Sequence, residues 1–148
     1  MSDWKQPLRL VELVDKKGNI EPKGIDKLVD AVQEASDLAS NLKCEEMLAF
    51  ATSAVRSATN ANDVLKQVKK KTGVDLRILS GEEEARLTFL AARRWHGWSA
   101  GRITNFDIGG GSLEISTGTE EMPDLAVSLD LGAGRLTHEW FDTDPPER

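Results

Sequence analysis

Apolar residues change their spacing several times along the chain, and each change marks a new element. Leu8 to Val14 has strand-like composition and ends at the turn cluster Asp15-Lys-Lys-Gly-Asn19. Pro22 then suits the first turn of a helix, in which Ile25, Leu28, Val29, Val32, Ala35, Leu38, Ala39 and Leu42 recur at helical spacing. Met47 to Ala51 is a short continuous apolar run, the pattern of a strand covered on both faces. After the polar stretch from Thr52 to Asn60, a second helix extends to about Lys71 and stops near Gly73. Val74 to Leu79 reads as a strand, Glu82 to Trp95 as a third helix, and Ile103 to Ile108 and Leu113 to Thr117 as two further strands. Leu125 to Leu131 adds a strand, and a last helix begins at Arg135 to Phe141 and runs into Asp144-Pro-Pro146. Strands alternating with helices and then following one another predict an α/β layered fold with a mixed sheet flanked by helices.

Composition narrows the class. The 148 residues suffice for one domain with a real core, so a single unit is expected. Charged residues at 30% against 39% hydrophobic match a soluble globular protein. A net charge of −6 argues against general nucleic-acid binding, so a polyanionic ligand would need a local pocket. No window approaches the roughly 20 apolar residues of a membrane span. The single cysteine, Cys44, fits a reducing cytoplasm and is expected at a buried or half-buried helix end. Trp4, Trp95, Trp98 and Trp140 suit core or rim positions, and His96 and His138 surface or packing positions, since neither histidine has ligand-like company.

The stretch FDIGGGSLEIS, from Phe106 to Ser116, carries the most chemistry. Gly109, Gly110 and Gly111 lie between two strands with no helix after them, unlike dinucleotide-binding or Walker-type loops. They read as a hairpin tip whose backbone can adopt positive φ and bring N–H groups onto an anion, with the Ser112 hydroxyl as a further donor. Carboxylates beside a bare phosphate repel it, so Asp107 and Glu114 make sense if hydrated Mg²⁺ or a positioned water bridges them to the phosphate. A plain tight turn is the alternative, but it needs only one or two glycines.

The run Ser80-Gly-Glu-Glu-Glu-Ala-Arg86 opens the third helix. Ser80 with Glu83 makes a capping box, and Glu82 needs only solvent. Glu84 shares a face with Leu87, Thr88 and Ala91, which directs it toward the buried side, where it could orient or deprotonate a water attacking phosphorus. On spacing alone Glu83 serves nearly as well. Arg56 closes the ATSAVR stretch just after a strand, where ligands of open α/β sheets bind, and offers a forked phosphate donor. An ordinary surface salt bridge is its plain alternative.

Together ATSAVR, ILSGEEEARLTFLA and FDIGGGSLE, in this order, resemble the exopolyphosphatase/guanosine pentaphosphate phosphatase (Ppx/GppA) family, and SLDLGAGRLTHEWFDTDPP is similar to the segment that follows its glycine hairpin. The resemblance covers the chain from about Leu8 onward. It implies an actin-like (ribonuclease H-like) α/β fold and Mg²⁺-dependent release of terminal phosphate from polyphosphate or guanosine pentaphosphate. Matched by motif, Glu84 takes the place of the family's catalytic base, which selects it over Glu83. Arg56 matches a phosphate-contacting arginine; Gly109, Gly110, Gly111 and Ser112 match a phosphate loop; Asp107 and Glu114 match its metal-linked acids.

Two departures qualify the match. The family usually has Thr where Leu113 stands, and losing that hydroxyl would weaken phosphate binding. Family members also begin with an Asp-x-Gly-Ser/Thr-Asn-Ser-type loop, and none precedes Leu8, so the resemblance implies a partial actin-like domain over residues 1–148. Such a sheet is short of strands, and its open edge invites pairing with a second copy, so a homodimer or else a poorly soluble monomer is expected. The competing readings are a non-catalytic phosphate-binding or regulatory remnant and an actin-like kinase or ATPase.

Overall fold

The computed structural model describes residues 4–141, so the Asp144-Pro-Pro146 end of the last expected helix lies outside the described residues. Contacts divide the chain into two units, one ending at Ile78 and the other beginning at Leu79.

In the first unit the expected first strand is instead a 3-10 turn, Leu10–Leu13, entered through Arg9 in the left-handed region. Only Val14 keeps strand pairing, as an isolated antiparallel bridge to Ile20. Leu10 is buried in the apolar cluster from this turn, so burial is achieved without a ladder. Between the bridge partners Asp15 Oδ1 accepts from the N–H groups of Lys17 at 2.8 Å and Asn19 at 2.9 Å, and Gly18 supplies the positive φ that closes the loop.

Helix α1 (Pro22–Asn41) starts at proline and buries Ile25, Leu28, Val29 and Ala31. Strand β1 (Phe50–Ala51) leads into a four-residue helix α2 (Ser53–Arg56), in the stretch read from sequence only as polar. Helix α3 (Ala61–Thr72) seals Val64 and Val68 in the core and ends at Gly73, whose φ of 75° suits the C-terminal cap. It carries the chain to β2 (Arg77–Ile78), which pairs parallel with β1. The C-terminal half of the α1 stripe opens into an apolar cavity of about 550 Å³ lined by Leu38, Leu42, Met47, Leu48 and Phe50 among others. Cys44 also lines it and is exposed, against the expected burial, because α1 ends three residues earlier.

In the second unit helix α4 (Gly81–His96) crosses a three-stranded antiparallel sheet of β3 (Ile103–Ile108), β4 (Leu113–Gly118) and β5 (Leu125–Leu129). Parallel and antiparallel pairing are thus both present, as the mixed-sheet reading requires, but in two sheets rather than one. The buried stripe of α4 is Ala85, Phe89 and Arg93. Arg93 has no exposed surface: its guanidinium donates to the carbonyls of Gly97 at 3.2 Å, Gly101 at 2.7 Å and Gly118 at 2.8 Å, and lies over the Phe89 ring. Positive φ at Gly97 and Gly101 folds that loop back so its carbonyls reach the arginine. On the outer face of the sheet Phe106 and Ile108 are 63% and 68% exposed. Helix α5 (Ala133–Trp140) follows β5. No helix among the described residues is long and apolar enough to cross a membrane. All four tryptophans are exposed rather than core, as are both histidines.

Candidate active site

A sheet face lying beneath a helix is normally apolar, yet the inner face of β4 is polar. Its side chains alternate, and those turned inward are Ser112, Glu114 and Ser116, followed by Gly118. Glu114 is 1% exposed and Ser112 2%. Cross-strand register extends this into rows. The row at the far end from the glycines pairs Ile103 with Gly118, the middle row holds Asn105, Ser116 and Ala126, and the row nearest the glycines holds Asp107, Glu114 and Ser128. Polarity therefore rises toward the hairpin tip.

Helix α4 follows the same gradient. Arg93 bonds Gly118, and Thr88 Oγ1 accepts from Asn105 Nδ2 at 3.4 Å, so moving back along α4 means moving forward along β3. One turn back from Thr88 is about 6 Å of helix, and two residues on from Asn105 is about 6.7 Å of strand, so the two steps match. By these rises half-buried Glu84 comes level, along the helix, with the row of Asp107, Glu114 and Ser128. Its neighbours differ from expectation, since Leu87 and Ala91 are exposed and Glu84 borders the buried stripe at Ala85. The first turn of the helix separates the three glutamates chemically. Glu83 Oε2 accepts from Ser80 N at 2.8 Å while Ser80 Oγ accepts from Glu83 N at 3.1 Å, completing the capping box, and Glu82 pairs with Arg86. Glu84 is the one of the three that neither motif engages through its side chain.

The glycine run is closely approached by another segment, and its first residue, Gly109, lies outside the left-handed region. Its freedom serves close approach. A Cβ on Gly132 would stand 2.3 Å from Ser112 N and 2.4 Å from both N and C of Gly111. Across this contact α5 donates to the loop, Ala133 N to Gly109 O and Arg135 N to Gly110 O, both at 2.9 Å. Within the loop Gly109 N donates to Ser112 O at 2.9 Å.

Asp107 and Glu114 face each other directly across β3 and β4, and Ser128 Oγ donates to Glu114 Oε1 at 2.7 Å. Among the described residues no three His, Cys, Asp or Glu side chains form a group able to hold a metal ion. An acid pair still suits Mg²⁺, which keeps several waters and commonly uses one or two carboxylates with substrate phosphate. Arg56 closes α2 in the other unit, half-buried, just after β1. Motif reading missed Ser128, Gly132 and Gly134, although all three lie in the quoted SLDLGAGRLTHEW segment. Gly132 and Gly134 could have been found by asking why two glycines open a helix.

With its actin-like α/β fold, acid-flanked glycine hairpin and glutamate-led helix, the chain is matched over residues 1–148 by the Ppx/GppA phosphatase family model, and it belongs to that family. Among curated proteins it is 58% identical, over all of its 148 residues, to Exopolyphosphatase 1 of Mycobacterium bovis, of which it spans 43%. Among solved structures it is similar to an exopolyphosphatase from Cytophaga hutchinsonii, at a TM-score of 0.82 and 26% identity, over 89% of this chain and 42% of that one. The Aquifex aeolicus family member gives a TM-score of 0.75 and 30% identity, over 95% and 45%. The chain spans less than half the length of each of these relatives.

Proposed function

We propose that the chain carries the hydrolytic half of an exopolyphosphatase-type site, which releases terminal phosphate from polyphosphate or guanosine pentaphosphate. The observation that supports it most is the polar row of Asp107, Glu114 and Ser128 at the glycine end of an interface whose other end is packed with Phe89 and Gly118. Burying such groups is costly unless they are hydrogen-bonded or paired.

In this reading the N–H groups of Gly110, Gly111 and Ser112 hold the terminal phosphate. Glu84 takes a proton from a water as that water attacks the terminal phosphorus in line; the P–O bond to the remaining chain breaks and the shortened polyphosphate leaves. Mg²⁺, held by Asp107 and Glu114 through its waters, would neutralise charge on the phosphate oxygens. The exposed Cys44, with no second cysteine in the sequence, suits a reducing cytoplasmic setting.

The test is phosphate release from short polyphosphate and from guanosine pentaphosphate with Mg²⁺, comparing the chain with Glu84→Gln. Release that disappears in the variant supports the reading. Equal release by both proteins removes Glu84 from its role. Anion-dependent stabilisation with no release from either would make this a phosphate-binding chain instead.

A further inference from the structure

Glu114 lies on the central strand of its sheet, with Asp107 opposite on β3 and Ser128 opposite on β5. Its carboxylate is 1% exposed, so its orientation is set by protein groups rather than by solvent. Ser128 Oγ donates to Oε1 at 2.7 Å. An alanine or valine would fill the same strand position and suit the covered face equally well, so packing alone does not call for a hydroxyl there. The middle row shows the contrast: the corresponding β5 residue is Ala126, and buried Ser116 Oγ has no partner among the described residues. The donor is thus supplied to the one acid that faces Asp107.

We propose that Ser128 is a positioning residue that fixes the plane of the Glu114 carboxylate against Asp107 and thereby sets the affinity of this acid pair for a divalent cation. The inference rests on the metal role given to the pair above. Outer partners of metal-binding carboxylates typically contribute about 10- to 100-fold in affinity. A hydroxyl that spends its proton on Oε1 restrains rotation about the last side-chain torsion, which is otherwise broad.

Mn²⁺ binding to the 148-residue chain, read by electron paramagnetic resonance, tests this without any need for turnover. Ser128→Ala and Ser128→Cys should weaken Mn²⁺ binding by about tenfold or more while Ser128→Thr, which keeps the hydroxyl, restores most of it. Circular dichroism melts of the same proteins separate positioning from stability, because a merely structural serine would move the melting temperature and not the affinity of the folded fraction. Wild-type affinity in both Ser128→Ala and Ser128→Cys overturns the proposal, as does equal loss in Ser128→Thr. If Glu114→Gln loses Mn²⁺ while Ser128→Ala retains it, only the role of Ser128 falls. Should Glu114→Gln bind as wild type does, or wild type bind no Mn²⁺, the metal assignment falls and takes Ser128 with it.

Discussion

Replacing Gly132 by alanine adds one carbon where the structure has no room. The backbone is not the obstacle, since φ of −71° and ψ of 149° are open to any residue. The new Cβ would meet Ser112 N at 2.3 Å and two Gly111 backbone atoms at 2.4 Å, against 3.4 Å or more for ordinary contact. Hairpin and helix must therefore part by more than 1 Å, and neither contact is a side-chain end that could swing away. That movement stretches the bonds from Ala133 N to Gly109 O and from Arg135 N to Gly110 O. Overpacking costs about 1–3 kcal/mol and each of the two hydrogen bonds about 1 kcal/mol, so a loss of about 3 kcal/mol is expected. For a chain of this size that corresponds to a melting temperature lower by about 10 °C. Gly132→Ser separates sterics from capping: serine is the better N-cap, yet it carries the same Cβ and should be destabilised too. Far-ultraviolet circular dichroism would follow the melts, with hydrogen exchange at the Ala133 and Arg135 amides reporting local opening. An alanine variant with an unchanged melt and unchanged protection at both amides would refute the reasoning.

Two further outcomes are expected. Arg93→Met keeps the volume and apolar contact of the buried side chain but leaves the carbonyls of Gly97, Gly101 and Gly118 without their donor. Only the Gly118 bond is fully buried, so at about 1–3 kcal/mol for a buried group left unpaired the urea midpoint should fall by the equivalent of at least about 1 kcal/mol; an unchanged midpoint would show that the loop re-forms other bonds. The carboxyl of Asp15 is held below its ordinary value of 3.8, first by the Asn19 N–H and then by the Asn19 side chain. A depressed folded value makes its stabilisation complete above the unfolded value and lost as the pH falls through the folded one, so the loop closed by Val14 and Ile20 should open only in acid. Asp15→Asn should abolish that pH dependence in the exchange of the Lys17 and Asn19 amides, and an unaltered profile would reassign it elsewhere.

How far the chain could be read depended on the range of the interactions involved. Strand β3 was legible to the residue, and the capping box of Ser80 and Glu83 announced α4, because both are local patterns. The stretch from Leu8 to Val14 misled because strand composition means little without a neighbouring ladder, and its leucines reach the core from a 3-10 turn instead. Arg93 looks like a surface residue at any level short of tertiary structure; only the folded glycine loops place three carbonyls around it. The same limit applied to the candidate site. Glycine and acid composition marked the hairpin, and motif matching selected Glu84, but the face assigned to Glu84 relied on Leu87 being buried, whereas it is exposed. Ser128 and Gly132 act on residues 14 and 20 positions away, and their meaning depends on strand register and helix approach rather than on spacing.

The apolar cavity under α1 bears on how this protein should be watched as it unfolds. A native opening of about 550 Å³, together with the exposed Phe106 and Ile108, offers solvatochromic dyes a binding place before any melting begins. Dye fluorescence will start high and give a shallow or inverted thermal trace. Intrinsic emission helps little, since Trp4, Trp95, Trp98 and Trp140 are between 42% and 88% exposed and already emit from a wet environment in the folded chain. Backbone ellipticity, which depends on neither, is the signal against which variants of this chain should be ranked.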